Sequence, residues 1–133
     1  MPYSVIDHTA DIGLKITGTN MPDLFLEAAR ALVIEIGADT ALSEKTVRIN
    51  VDGYDYEDLL VLFLNALIFE IQTRDFRVSG FEITSLSKTG IRVSVRGAHG
   101  GKPLKENIKA ATYHNLNIIK NPDVYETTII FDV

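Results

Sequence analysis

The stretch from Leu59 to Ile71 constrains the fold more than any other part of the chain. Leu59, Leu60, Val61, Leu62, Phe63, Leu64, Leu67, Ile68 and Phe69 occupy nearly every side of a helical wheel. A helix that is apolar on most sides is buried on most sides. The run is interrupted by Asn65 and Glu70, and it falls short of the about 20 apolar residues that a membrane span needs. It reads as the central helix of a domain, from about Tyr56 to Gln72, with Asp55, Glu57 and Asp58 at its electropositive start. A chain of 133 residues fits one such domain, 1–133, with one core.

The other elements can be placed around this helix. Met21-Pro22-Asp23 opens a second helix, because proline suits the first turn and an acid suits the positive end. Leu24, Phe25, Ala28, Ala29, Leu32, Val33 and Ile36 recur at helical spacing, and Gly37 stops the helix. Alternating apolar residues predict strands over 12–18 and 46–51. Residues 77–86 and 91–96 form a hairpin across Ser87-Lys88-Thr89-Gly90. Two more strands, 107–119 and 125–133, flank the turn Asn121-Pro122-Asp123. Strand, helix, strand, helix and four strands predict an α+β two-layer sandwich, with two helices covering one face of a mainly antiparallel sheet.

Several kinds of chemistry are excluded or disfavoured. Without cysteine there is no thiol nucleophile, no redox pair and no Cys-ligated zinc. The net charge of −5 is uneven: residues 1–66 carry −7 and residues 67–133 carry +2. A strongly basic nucleic-acid binder has a different balance. An acidic half is chiefly a solvated face, with a weaker suggestion of cation binding or a basic partner. Gly97-Ala98-His99-Gly100-Gly101-Lys102-Pro103 fails the Walker pattern, since its glycines are too close and Pro103 stands where Ser or Thr would hold magnesium. It reads as an interstrand loop. The three histidines form no HExxH pair, and no serine sits in a nucleophile elbow. Met1-Pro2-Tyr3-Ser4 has neither a basic region nor an apolar h-region, so no signal peptide and a cytoplasmic location are expected.

Three segments carry candidate chemistry. Asp7-His8-Thr9-Ala10-Asp11 places two carboxylates and an imidazole in five positions, a set able to ligate a divalent cation and equally able to cap turns. Lys109, Thr112, Tyr113 and His114 share one segment. In a strand, Lys109 and Tyr113 would lie on one face and Thr112 and His114 on the other, which is also how the wet side of a sheet looks. A lysine held near carboxylates would be an ion pair or a phosphate anchor. Asp132 follows the apolar run Ile129-Ile130-Phe131, which argues for a terminal strand that fixes it beside the α-carboxylate of Val133. Converging carboxylates repel, so they call for a metal or a lysine.

Four motifs occur together in order: His8-Thr9-Ala10-Asp11-Ile12-Gly13, Leu24-Phe25-Leu26-Glu27-Ala28-Ala29, Ile108-Lys109-Ala110-Ala111-Thr112-Tyr113-His114 and Ile130-Phe131-Asp132-Val133. With Leu64-Asn65-Ala66-Leu67 in the apolar helix, the whole chain resembles the archease family. The resemblance implies a small cytoplasmic α+β accessory protein that is not itself an enzyme. It would assist the RtcB-type RNA ligase of tRNA splicing, promoting its guanylylation and repeated turnover. It would reach tRNA only through that ligase and would touch no membrane. It also implies a divalent metal ion held by Asp11 and Asp132, and a functional requirement for Lys109. His8 and the terminal carboxylate of Val133 are further candidate ligands, and His114 and Tyr113 are candidate functional residues. Carboxylates suit calcium, magnesium or manganese, and a histidine would admit zinc. The chain departs from the family pattern at Asn107, where a glutamate is usual, and in lacking tryptophan before the last strand, where Tyr125 is nearest. The glycine-rich loop over 97–106 also lacks the family's clear acidic and Arg-His residues, which leaves the Asp11 and Asp132 expectation standing and puts a ligand from that loop in doubt. Rival readings are a chaperone or modulator of other tRNA enzymes, such as a methyltransferase, and a small metal-dependent phosphohydrolase using the same carboxylates. The latter lacks a recognisable general base, nucleophile or phosphate cradle.

Overall fold

The computed structural model describes residues 2–7 and 11–133. Helix α1 spans Met21–Ile36, and helix α2 spans Tyr56–Gln72. Both start on a side-chain cap. Asn20 accepts a hydrogen bond from the Asp23 N–H, and Asp55 accepts one from the Asp58 N–H. Each cap satisfies a first-turn donor that has no helical partner. Asp23 in turn accepts from the N–H of Thr19, the residue before the cap, at 2.8 Å. Helix α1 ends at Gly37, whose φ of 77° is left-handed, the conformation that glycine adopts without strain.

The strands are β1 (Tyr3–Asp7), β2 (Asp11–Gly18), β3 (Lys45–Asp52), β4 (Phe76–Ser87), β5 (Gly90–His99), β6 (Ala110–Ala111), β7 (Ile119–Lys120) and β8 (Tyr125–Asp132). They form two antiparallel sheets. The first has the order β1-β2-β8-β6, with β7 also paired to β8, and the second has the order β3-β5-β4. The helices form one layer that bridges the two: α1 packs on β2 and β4, and α2 packs on β3, β5 and β6. Phe25 of α1 stacks on Phe63 of α2 at 6.4 Å between centroids, and Phe76 and Phe131 complete the aromatic core from the sheets. The expected α+β architecture of two helices against antiparallel strands is what the structure has.

Three details differ from expectation. Strand β1 was not anticipated, and the sheet is divided in two. The expected strand over 107–119 is reduced to Ala110–Ala111 and, after a loop, Ile119–Lys120. Its polar–apolar alternation is real, but the backbone turns out of the sheet where Leu116 N–H bonds the Tyr113 carbonyl and Asn115 takes a φ of 52°. Asparagine is one of the few residues that tolerate this conformation.

Arg77 anchors the glycine-rich loop that leads into β6. It is only 4% exposed. Its guanidinium donates to the carbonyls of Phe76 at 3.1 Å and Lys102 at 3.2 Å and pairs with Asp75 at 2.9 Å. Gly100 and Gly101, at φ 79° and 134°, supply the turn. The expected loop over 97–103 is therefore shorter than the sequence suggests: Gly97, Ala98 and His99 belong to β5, and the turn begins at Gly100.

Candidate functional site

Residue alternation decides which face of the first sheet is open. Leu14 and Ile16 of β2 and Ile129 and Phe131 of β8 are buried in the core. Their neighbours Asp11, Lys15, Thr128 and Asp132 therefore stand on the opposite, outer face. The β2–β8 register pairs Asp11 directly with Asp132, Gly13 with Ile130 and Lys15 with Thr128. Side chains directly opposite in an antiparallel ladder leave the backbone about 4.5–5.5 Å apart at Cβ. Two aspartates from the two ends of the sequence thus face one another at the end of the sheet.

On the other side of β8, Ala110 pairs with Asp132, and the Lys109 N–H donates to the Asp132 carbonyl at 2.8 Å. Lys109 itself is exposed. Among the described residues, no ion pair involves Asp11, Asp132 or Lys109. The segment around Lys109 is held from behind by α2. Asn65 Oδ1 accepts from the Ala111 N–H at 2.7 Å, and its Nδ2 donates to the Ala111 carbonyl at 3.2 Å. Gln72 Oε1 accepts from the Ile108 N–H at 2.8 Å, and its Nε2 donates to the Ile108 carbonyl. The sequence signal for these two contacts was a pair of amide residues seven apart in an otherwise apolar helix, a spacing that puts both on one face.

The remaining candidates fall elsewhere. His8 lies outside the described residues. Val133 is one residue past β8 and 39% exposed. His114 follows β6 in the turn, with its N–H on Thr112 Oγ1 at 3.3 Å and its Nε2 3.4 Å from Asn115 Nδ2. Tyr113 donates its hydroxyl to Asp58 in the first turn of α2. Since Gln72 grips Ile108, the chain runs back along α2 from its C-terminal end towards its start. The structure therefore joins Asp11, Asp132 and the Lys109 backbone, and directs Tyr113 away from them. The Tyr113 bond holds the Asp58 carboxyl below its usual range, helped by the Tyr54 N–H. The same bond, then burial and the charges of Asp58 and Asp55, push the Tyr113 phenol up to about 12.

As a donor set, two opposed carboxylates fit a hard cation that keeps several of its waters, the way magnesium is commonly held. Among the described residues, no group of three or more His, Asp or Glu side chains forms a complete protein cage. A cation here would take its other ligands from water or a partner.

The fold and site define a small α+β protein whose polar chemistry gathers at one end of a sheet. The chain belongs to the Archease protein family, which it matches over residues 3–133. It is similar to the protein archease of Archaeoglobus fulgidus, 28% identical with all of both chains covered. The protein archease of Pyrococcus abyssi is 35% identical, over 88% of this chain and 87% of that one. Among solved structures it resembles an archease from Thermotoga maritima described as a possible chaperone, with a TM-score of 0.73 and 27% identity over 96% of this chain and 94% of that one. No described helix is long and apolar enough to cross a membrane.

Proposed function

We propose that this protein is a metal-binding accessory factor that activates an RtcB-type RNA ligase in tRNA splicing. In this reading, Asp11 and Asp132 hold the divalent ion and Lys109 contacts the ligase or its nucleotide. The observation that carries the reading is the register that sets Asp11 opposite Asp132 with Lys109 bonded to the same strand. Like charges directly opposed in a ladder are unfavourable, and a shared cation removes the penalty. When bound, the ion would supply positive charge for a phosphate or carboxylate of the partner. The chain's own residues would orient that ion at an exposed sheet end, with the Lys109 backbone bonded to the strand that carries Asp132.

The test is guanylylation of the cognate ligase with and without the protein. Wild type should accelerate it, while Asp11→Ala and Asp132→Ala should retain the fold and lose the acceleration. Full stimulation by both folded variants would refute the reading.

A further inference from the structure

We infer that Asn65 and Gln72 are positioning residues that set Lys109 against β8. The inference rests on the functional reading of Lys109 given above, but its geometry stands apart from it. Segment 108–111 has β8 on one side and, among the described residues, no strand on the other. Two side-chain amides take the place of that strand, each closing a two-bond ring with one residue's N–H and carbonyl. The spacing of the two grips matches on both elements. Seven residues of α-helix rise about 10.5 Å. Three residues of extended chain, from Ile108 to Ala111, span up to about 10 Å. A slip of the strand by one residue would break both rings at once, so the helix gauges the register. Lys109 lies between the two gripped residues and is left with an exposed side chain.

Both amides are partly buried, and their replacement leaves backbone groups without partners. The near-isosteric variants Asn65→Leu and Gln72→Met keep α2 apolar and helical. Hydrogen exchange is followed by NMR on the full chain, together with the maximal stimulation of ligase guanylylation. Asn65→Leu should speed exchange at Ala111, and Gln72→Met at Ile108, by at least about tenfold, with the amides of Val93 and Val95 unchanged. Each should lower the stimulation reached at saturating protein by about fivefold or more, as a displaced Lys109 would. Asn65→Asp and Gln72→Glu keep the acceptor for the N–H and should restore the slow exchange and much of the stimulation.

Unchanged exchange at Ile108 and Ala111 would overturn the proposal. So would faster exchange with full stimulation, provided Lys109→Ala abolishes it. If Lys109→Ala is itself fully active, the functional reading has failed, and exchange alone decides whether the amides hold the strand. Should the apolar variants unfold, the Asp and Glu variants decide the matter, since loss of protection in a folded Asn65→Asp protein contradicts the proposed acceptor role.

Discussion

The two sheets treat charge in opposite ways. On the outer face of the three-stranded sheet, Arg92 pairs with Asp52 at 3.0 Å, and Ser94 separates Arg48 from Glu82 across the register. The five-stranded sheet follows the same rule at one end, where Lys15 reaches Glu126 at 3.7 Å. At its other end it sets Asp11 against Asp132. A sheet selected only for stability places opposite charges, or none, across a ladder. The three-stranded sheet is scaffold, built from long strands paired along their length. The five-stranded sheet pairs β2 and β8 over eight residues but is completed by the two-residue strands β6 and β7 and by side-chain amides, and it is there that like charges converge. The departure from favourable pairing is the structural ground for the functional end proposed above.

The sharpest way to break the scaffold half is Gly97→Ala. A Cβ at this position would lie 1.7 Å from the Arg77 carbonyl oxygen, beside the irregularity between Val78 and Gly80. Backbone must move to admit it, so a loss of about 3 kcal/mol is expected in denaturant titration. On the functional half, manganese or calcium at one hundred times its Kd should stabilise the wild type by about 2.7 kcal/mol and leave Asp132→Asn unmoved. Thermal unfolding with and without the ion measures this. A smaller effect tests the comparison itself. Without metal at low salt, Asp132→Asn should stabilise the fold by about 0.2–1 kcal/mol, because it removes a like-charge contact. Asp52→Asn should destabilise by a similar small amount, because it removes an exposed ion pair. Equal signs for the two variants would erase the contrast between the sheets.

The smallest effect is spectroscopic. Tyr113 titrates above its usual value of 10.0, at about 12, because its hydroxyl donates to Asp58. Its raised value stabilises the fold below pH 10, and that contribution is lost as pH rises towards 12. The depressed value of Asp58 stabilises the fold above pH 3.8, and that contribution is lost as pH falls through the lower folded value. Asp58→Asn should bring the ultraviolet phenolate transition of Tyr113 back towards 10. An unmoved transition would mean that the tyrosine is anchored elsewhere.

Much of the fold was legible in the sequence because its helices are long and periodic. The reading of α2 over Tyr56–Gln72 and of α1 from Met21 to the stop at Gly37 agrees with the structure. The sheet position of Asp132 was also legible from the apolar run before it, whereas its meeting with Asp11 was expected only from the family resemblance. What escaped was decided by partners rather than by pattern. Residues 107–119 alternate as a strand does, but only Ala110–Ala111 and Ile119–Lys120 find β8, and the rest turns towards α2. Asn65 and Gln72 look like interruptions of an apolar helix until the segment they grip is in place. Arg77 reads as an ordinary strand arginine, yet it is buried because the Lys102 carbonyl of a distant loop and the neighbouring Phe76 carbonyl converge on it.

Calorimetric titration of manganese into the protein tests the central claim most directly. The account predicts one ion per chain for the wild type and none for Asp11→Asn or Asp132→Asn, with all three folded. Wild-type affinity in either folded variant, or no binding by the wild type, would contradict it.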